Sequence, residues 1–238
     1  MRTTARDEME AELRTVISEW QEGRSSFRLL DAGGGSLSRI PTEVVPVLTV
    51  VDISPEQLER NIADEKILGD LHEVDLGVAR FDAAVAWDVI EHLADPWKVV
   101  RKLLAAVVPG GIVILAGPSR YSLQALVTRL TPHSFHVWVY RHIFKKPHAG
   151  EPGRAPFPTV HHADISPDRL ADLIAKAGHE LLYFRTYERS KRGKLKKTVP
   201  LLGLAYDMAA RIGSSVSGRN MLESDFVMVI RPAADGGR

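Results

Sequence analysis

The strongest constraint on this chain is a recurring unit: a short aliphatic run that ends in an acid or a glycine, followed by a residue pair suited to start a helix. Residues 27–30 form an apolar run that stops at Asp31 and Gly33-Gly34-Gly35, and the β-branched run 47–51 stops at Asp52. Ser54-Pro55 then supplies an N-cap and a first-turn proline, with Gln57 spaced to complete a capping box. The unit returns as strand 81–86 followed by Asp95-Pro96. Its helix carries Val99, Val100, Leu103, Leu104 and Val107 on one side and is halted by Pro109-Gly110-Gly111. Strand 112–117, a helix begun by Ser166-Pro167 and ended by Gly178, and late strands 180–187 and 224–231 close the series. Alternation of this kind predicts an α/β fold: an open, mostly parallel sheet with helices on both faces.

The length of 238 residues fits one domain with an insertion better than two full domains. Met9, Leu13, Val16, Ile17 and Trp20 recur at helical spacing, so residues 1–26 contain an amphipathic helix over 5–21. Residues 27–118 form the core, 119–163 a lid-like insertion rich in His, Pro and aromatics, and 164–238 the last part of the sheet. The charge of +1 argues against a nucleic-acid partner, and the absence of cysteine excludes disulfides and thiolate metal sites. The charged N-terminus lacks the apolar stretch of a signal peptide, and no apolar run nears the ~20 residues of a membrane span, so a cytoplasmic location is expected.

Ligands of open α/β sheets bind beyond the carboxyl ends of the strands, and Asp31, Gly33 to Gly35, Asp52, Asp70, Trp87 and Asp88 fall at such ends. Glycines at 33 and 35 permit close backbone approach. Asp52, 21 residues after Asp31, is placed to accept hydrogen bonds from ribose hydroxyls, which implies a nucleoside. A dinucleotide fingerprint fits less well, because Gly33-x-Gly35 runs on into Ser36, Leu37 and Ser38 and Pro41 cuts the next helix short.

Taken together, these segments resemble the class I S-adenosylmethionine-dependent methyltransferases, in particular the small-molecule group that includes ubiquinone and menaquinone biosynthesis enzymes. The resemblance rests on Leu29-Leu30-Asp31-Ala32-Gly33-Gly34-Gly35, Val51-Asp52-Ile53-Ser54, Gly69-Asp70-Leu71, the run 81–85, Asp88-Val89-Ile90-Glu91-His92-Leu93, Asp95-Pro96 and Val108-Pro109-Gly110-Gly111, in that order. It covers residues 28–118 closely and implies a Rossmann-like sheet of seven strands. It further implies S-adenosyl-L-methionine as cofactor and S-adenosyl-L-homocysteine as product. On that resemblance Asp31, Gly33 and Gly35 line the methionine portion, Asp52 binds ribose and Ile53 packs on adenine. Asp70 and the Leu71 backbone read the adenine edge, and Trp87 and Asp88 lie near the methionine amine. Leu37 stands where the family often has a third glycine.

The expected function is methyl transfer to an oxygen or nitrogen of a small molecule: a secondary metabolite, a quinone-like compound, a sugar or a lipid. Such transfer requires alignment, plus a base when the acceptor is protonated, and histidine suits that task near neutral pH. His92, just beyond the fourth strand, and His136, in the insertion beside Phe135 and Trp138, are the candidate catalytic residues, with Tyr121 a further acceptor-pocket candidate. Asp88, Glu91 and His92 have the spacing of one helix face, but the family pattern accounts for them without a metal, and none is expected. Seven basic residues against one acid lie between Arg185 and Lys197. They precede an apolar pattern that reaches Ile212, so peripheral lipid contact through 185–212 is a further expectation. The competing readings are an NAD(P)-dependent oxidoreductase on a similar sheet and a catalytically silent cofactor-binding module that regulates a partner.

Overall fold

The computed structural model describes residues 4–36, 42, 44–151, 156, 166–188 and 199–234. Along the chain the elements are α1 (Ala5–Gln21), β1 (Arg28–Ala32), β2 (Val47–Asp52), α2 (Pro55–Arg60), β3 (Glu65–Leu68), β4 (Phe81–Trp87), α3 (Pro96–Ala106) and β5 (Val107–Pro118). Then follow α4 (Leu123–Leu130), α5 (His133–His142), α6 (Pro167–Lys176), β6 (Glu180–Tyr187), α7 (Pro200–Ser217) and β7 (Asp225–Arg231). The seven strands form one sheet in the order β3-β2-β1-β4-β5-β7-β6. Pairings from β3 through β5 are parallel, and β7 runs antiparallel to both β5 and β6.

Strand alternation divides the core in two. Leu30, Ala32, Ala84, Ala86, Val113 and Leu115 face the side covered by Val99, Val100 and Leu103 of α3 and by Leu170 and Ile174 of α6. Their neighbours Leu29, Ala83, Val85, Ile112 and Ile114 face the side covered by Met9, Leu13 and Ile17 of α1. Because both faces are buried, the central strands read as unbroken aliphatic runs, and the side-chain period of two sorts them between the layers. Thr4 caps α1 reciprocally with Asp7, and the helix docks along β6 where Arg185 meets Glu8 and Glu12.

The structure revises two local expectations. Val107 opens β5 instead of closing α3: Phe81 pairs with Val107 and Ala83 with Ile112, so Pro109-Gly110-Gly111 bulges within the strand. Only half of the capping box forms at α2. The Gln57 N–H donates to Ser54 Oγ at 3.3 Å, but the Ser54 N–H donates to Asp52 Oδ1 at 2.8 Å and so is engaged by the strand-end acid.

Candidate active site at the strand carboxyl ends

Four parallel strands deliver the candidate residues to one rim of the sheet. Asp31 pairs with Val50 on one side and Val85 on the other, and Asp52 pairs with Leu68 at the end of β3. Beyond β1 the Gly33 N–H donates to the Val51 carbonyl at 2.7 Å, which ties the glycine turn to the neighbouring strand. Gly33 (φ +74°) and Gly35 (φ +56°) occupy the left-handed region. A Cβ at Gly33 would sit 2.6 Å from Val89 Cγ2, and one at Gly34 would strike the carboxylate of the buried Asp31. The turn is thus held to backbone-only thickness, leaving its amides close to whatever occupies the rim.

Asp52 organises the centre of the rim. It is 8% exposed; its Oδ2 accepts the Gly35 N–H at 2.9 Å and its Oδ1 the Ser54 N–H at 2.8 Å. Each carboxylate oxygen keeps accepting capacity after those bonds, so the group is rigidly aimed yet still able to receive two adjacent hydroxyls. Asn61 Nδ2 donates to the Gly35 carbonyl at 2.7 Å and clamps the turn from the side of α2. Ile53, the next residue, is 71% exposed at the same rim, an apolar surface available to a planar ring.

At the end of β3, Asp70 Oδ1 accepts both the backbone N–H of His72 (2.8 Å) and its ring Nδ1 (2.6 Å). Those bonds, the backbone one foremost, hold the Asp70 carboxyl below its ordinary pKa. The His72 Nε2 lies 3.1 Å from the Asp95 backbone nitrogen. A backbone N–H can only donate, so Nε2 is the acceptor and Nδ1 carries the proton given to Asp70. His72 therefore links the β3 rim to the first turn of α3, where Asp95 caps Lys98. Leu71 turns its side chain into the core, and its carbonyl, with that of Val74, accepts from Lys102 Nζ at 2.7 Å each. Burial lowers the Lys102 pKa. Neither His72 nor Lys102 stood out in the sequence; the only sign of the first is a histidine two places after an acid, the spacing of an Asx turn.

At β4, Trp87 is half-buried against the α1 side of the core. Asp88 adopts φ +59°, unusual for a residue other than glycine, while its N–H donates to the Ala116 carbonyl at 2.8 Å. Residues Ile90–His92 form a single 3-10 turn outside of which Asp88 lies, so Asp88, Glu91 and His92 do not share a helical face. Among the described residues no group of three His, Asp or Glu side chains is arranged to hold a metal ion. The His92 ring, 31% exposed, sits with Nε2 3.8 Å from Oε1 of the buried Glu91.

Within the insertion the structure builds α4 and α5. His136 lies on α5 with Nε2 3.0 Å from Thr131 Oγ1 and 3.3 Å from its carbonyl, a local tie to the α4–α5 turn. The Tyr121 ring lies under the Arg219 guanidinium, 3.7 Å from ring centre to carbon. His161, His162, Leu37, Pro41 and the basic run from Arg189 to Lys197 lie outside the described residues.

A family profile described as a methyltransferase domain matches residues 2–183. The chain belongs to the class I S-adenosylmethionine-dependent methyltransferase family. It is 30% identical over 145 residues to the ubiquinone biosynthesis O-methyltransferase of Caulobacter sp. (strain K31), covering 49% of this chain and 55% of that protein. The enzyme of the same name from Xanthomonas campestris pv. campestris (strain B100) is 27% identical over 130 residues, 46% of this chain and 54% of its own. The chain thus spans about half the length of the curated relatives it matches. Solved structures share the fold: an S-adenosylmethionine-dependent methyltransferase from Mesorhizobium loti superposes with a TM-score of 0.53 at 14% identity, covering 95% of this chain and 97% of that one. SpnF, named a (4+2)-cyclase, gives a TM-score of 0.55 at 17% identity over 92% of this chain and 80% of its own.

Proposed function

We propose that this protein transfers a methyl group from S-adenosylmethionine to an oxygen or nitrogen of a small-molecule acceptor. The observation that carries the reading is Asp52, whose two oxygens are each fixed by a backbone N–H while retaining the capacity to accept a vicinal diol. Ribose offers that diol, and the exposed Ile53 beside it offers a face for adenine. Asp70, oriented by His72, and the Leu71 backbone would read the adenine edge. Asp31, Gly33 and Gly35 would line the methionine portion, with Trp87 and Asp88 near its amine.

When bound, the cofactor supplies an electrophilic methyl on a sulfonium, so the protein contributes chiefly alignment and, for a hydroxyl acceptor, removal of a proton. His92, which follows β4 at the rim of the strand carboxyl ends, is the first candidate for the base that takes that proton. His136, bonded to Thr131, serves as the second candidate on the acceptor side. The curated relatives are named O-methyltransferases, which favours oxygen over nitrogen.

Calorimetric titration with S-adenosylmethionine, S-adenosylhomocysteine and NADH, followed by labelled-methyl transfer to a panel of phenols, carboxylic acids and amines, tests the reading. Binding of the first two with transfer to one acceptor class is expected, together with loss of transfer but not of cofactor binding in His92→Gln. Binding of NADH alone, or cofactor binding with no transfer to any class, would overturn it.

A further inference from the structure

The helix α7 is turned the wrong way round for a helix that serves only to cover a sheet. Its buried positions are Gly203 and Ala210, whereas its large apolar residues Leu201, Leu204, Met208, Ile212 and Val216 are between 57% and 84% exposed. Their spacing of three and four residues places them in one stripe along a helix of 18 residues, about 27 Å long. The orientation is fixed from behind, because Ser214 Oγ accepts the Met221 N–H at 2.9 Å and Met221 crowds the site of a Cβ at Gly213. An isolated exposed leucine requires no explanation; a continuous apolar stripe marks a contact surface.

The helix α4 beside α7, and α5 that follows α4 in the chain, share this character. The helix α4 packs against α7, and the Leu123 N–H donates to the Met221 carbonyl at 2.9 Å. Leu130 on α4 and Phe135 and Trp138 on α5 are exposed as well, the two rings stacked with centroids 6.2 Å apart. From Ser119 to Gly150 the chain carries Arg120, Arg129, Arg141, Lys145 and Lys146 and no Asp or Glu at all. In sequence, six more Lys and Arg residues lie between 189 and 197, ahead of α7. Within α7 itself Asp207 is balanced by Arg211, so the charge comes from the flanking stretches; an apolar stripe, aromatic rings and an excess of flanking positive charge are the features of a helix lying in the plane of a membrane interface. A second copy of this chain is a poorer occupant, because two-fold pairing would set the same positive patch against itself.

We infer that α7, with α4 and α5, docks on an anionic lipid surface. Since α4 leaves the carboxyl end of β5, docking there would bring the rim that holds the candidate site close to the bilayer. No described helix is long and apolar enough to cross a membrane, so the contact is peripheral.

Flotation of the full chain with vesicles of phosphatidylcholine, alone or mixed with phosphatidylglycerol, tests the inference. Recovery with the mixed vesicles only, falling as salt rises, is expected. Leu204→Glu combined with Met208→Glu should lower partitioning at least about tenfold, and Arg129→Gln and Lys145→Gln roughly fivefold each. Thermal unfolding and S-adenosylhomocysteine titration of each variant verify its fold, and the lysine and arginine variants keep the test alive if the double glutamate variant unfolds. Equal recovery of all variants, no preference for phosphatidylglycerol, no binding at all, or a vesicle-free dimer dissolved by Met208→Glu would each overturn it. Vesicle binding requires no cofactor, so its failure is distinct from failure of the methyltransferase reading.

Discussion

The rim of β1 to β4 and the exposed faces of α4, α5 and α7 use the same residue types to opposite ends. On the rim, Asp31 and Asp52 are buried, Asp52 is held by two backbone amides and the more exposed Asp70 by His72, while the aliphatic side chains behind them are fully enclosed. On the helical faces, aliphatic and aromatic side chains face outward, and α5 buries none of its residues. The difference shows where precision is needed. A nucleoside ligand demands fixed donors and acceptors, which parallel strands supply at their carboxyl ends. An anionic lipid surface of the kind inferred above demands apolar area and positive charge, with no fixed partner atoms.

The contrast is sharpest in paired aliphatic truncations. Leu115→Ala, in β5 and fully enclosed, should cost about 2–5 kcal/mol in urea unfolding, whereas Met208→Ala on α7 should stay within about 0.5 kcal/mol. Equal losses would mean that the α7 stripe is covered in the isolated protein.

On the rim, Asp52→Ala should weaken S-adenosylhomocysteine binding by about 1–3 kcal/mol by calorimetry, since it removes hydrogen bonds to the ligand and also releases the Gly35 and Ser54 amides. Unchanged affinity in a folded variant would remove Asp52 from the site. Gly33→Ala should lower stability by about 1–2 kcal/mol from its left-handed backbone alone, with the overlap on Val89 adding to it.

Smaller still, His72→Ala should reduce cofactor affinity by about 0.5–1.5 kcal/mol. His72→Asn should recover part of it, because the amide N–H can donate to Asp70 from the position of Nδ1. No recovery would mean that the ring acts only as filler. Asp70 also makes acid stability a test. Its pKa is lowered in the folded state, so it contributes stability above the unfolded value of about 4 and loses it as pH falls through the folded value. The difference in urea midpoint between the wild type and Asp70→Asn should therefore be constant at neutral pH and shrink below about pH 4. A difference that persists into strong acid would show that the carboxylate charge is irrelevant there.

Much of the rim was legible in advance because strand ends are written locally. The run 47–51 with Asp52, and Ser54-Pro55 after it, predicts a strand, its end and a helix start from neighbours in sequence. The structure has β2 ending at Asp52 and α2 beginning at Pro55. Strand β3 left little trace: it is four residues long, lies at the sheet edge and carries Glu65 and Lys66 in half of its positions. Helix α5 was equally hidden, since a helix without a buried face shows no apolar periodicity directed at a core. His72 and Lys102 were missed for a different reason: the bond that makes His72 a bridge, to Asp95, spans 23 residues, and the partners of Lys102 lie 28 and 31 residues away.

What the sequence determined by itself is therefore the set of local signals: aliphatic runs, their terminating acids and glycines, the capping pairs, and through them the α/β class and the identity of Asp31, Asp52, Asp70 and Asp88 as rim residues. Only the tertiary structure decided the order β3-β2-β1-β4-β5-β7-β6 and the bonds of Asp52 to Gly35 and of His72 to Asp95. It alone decided, too, which face of α7 turns outward. The physical reason is range. Capping and strand propensity act over a few residues, whereas strand pairing, long-range hydrogen bonds and the choice of buried face depend on which distant surfaces meet when the sheet closes.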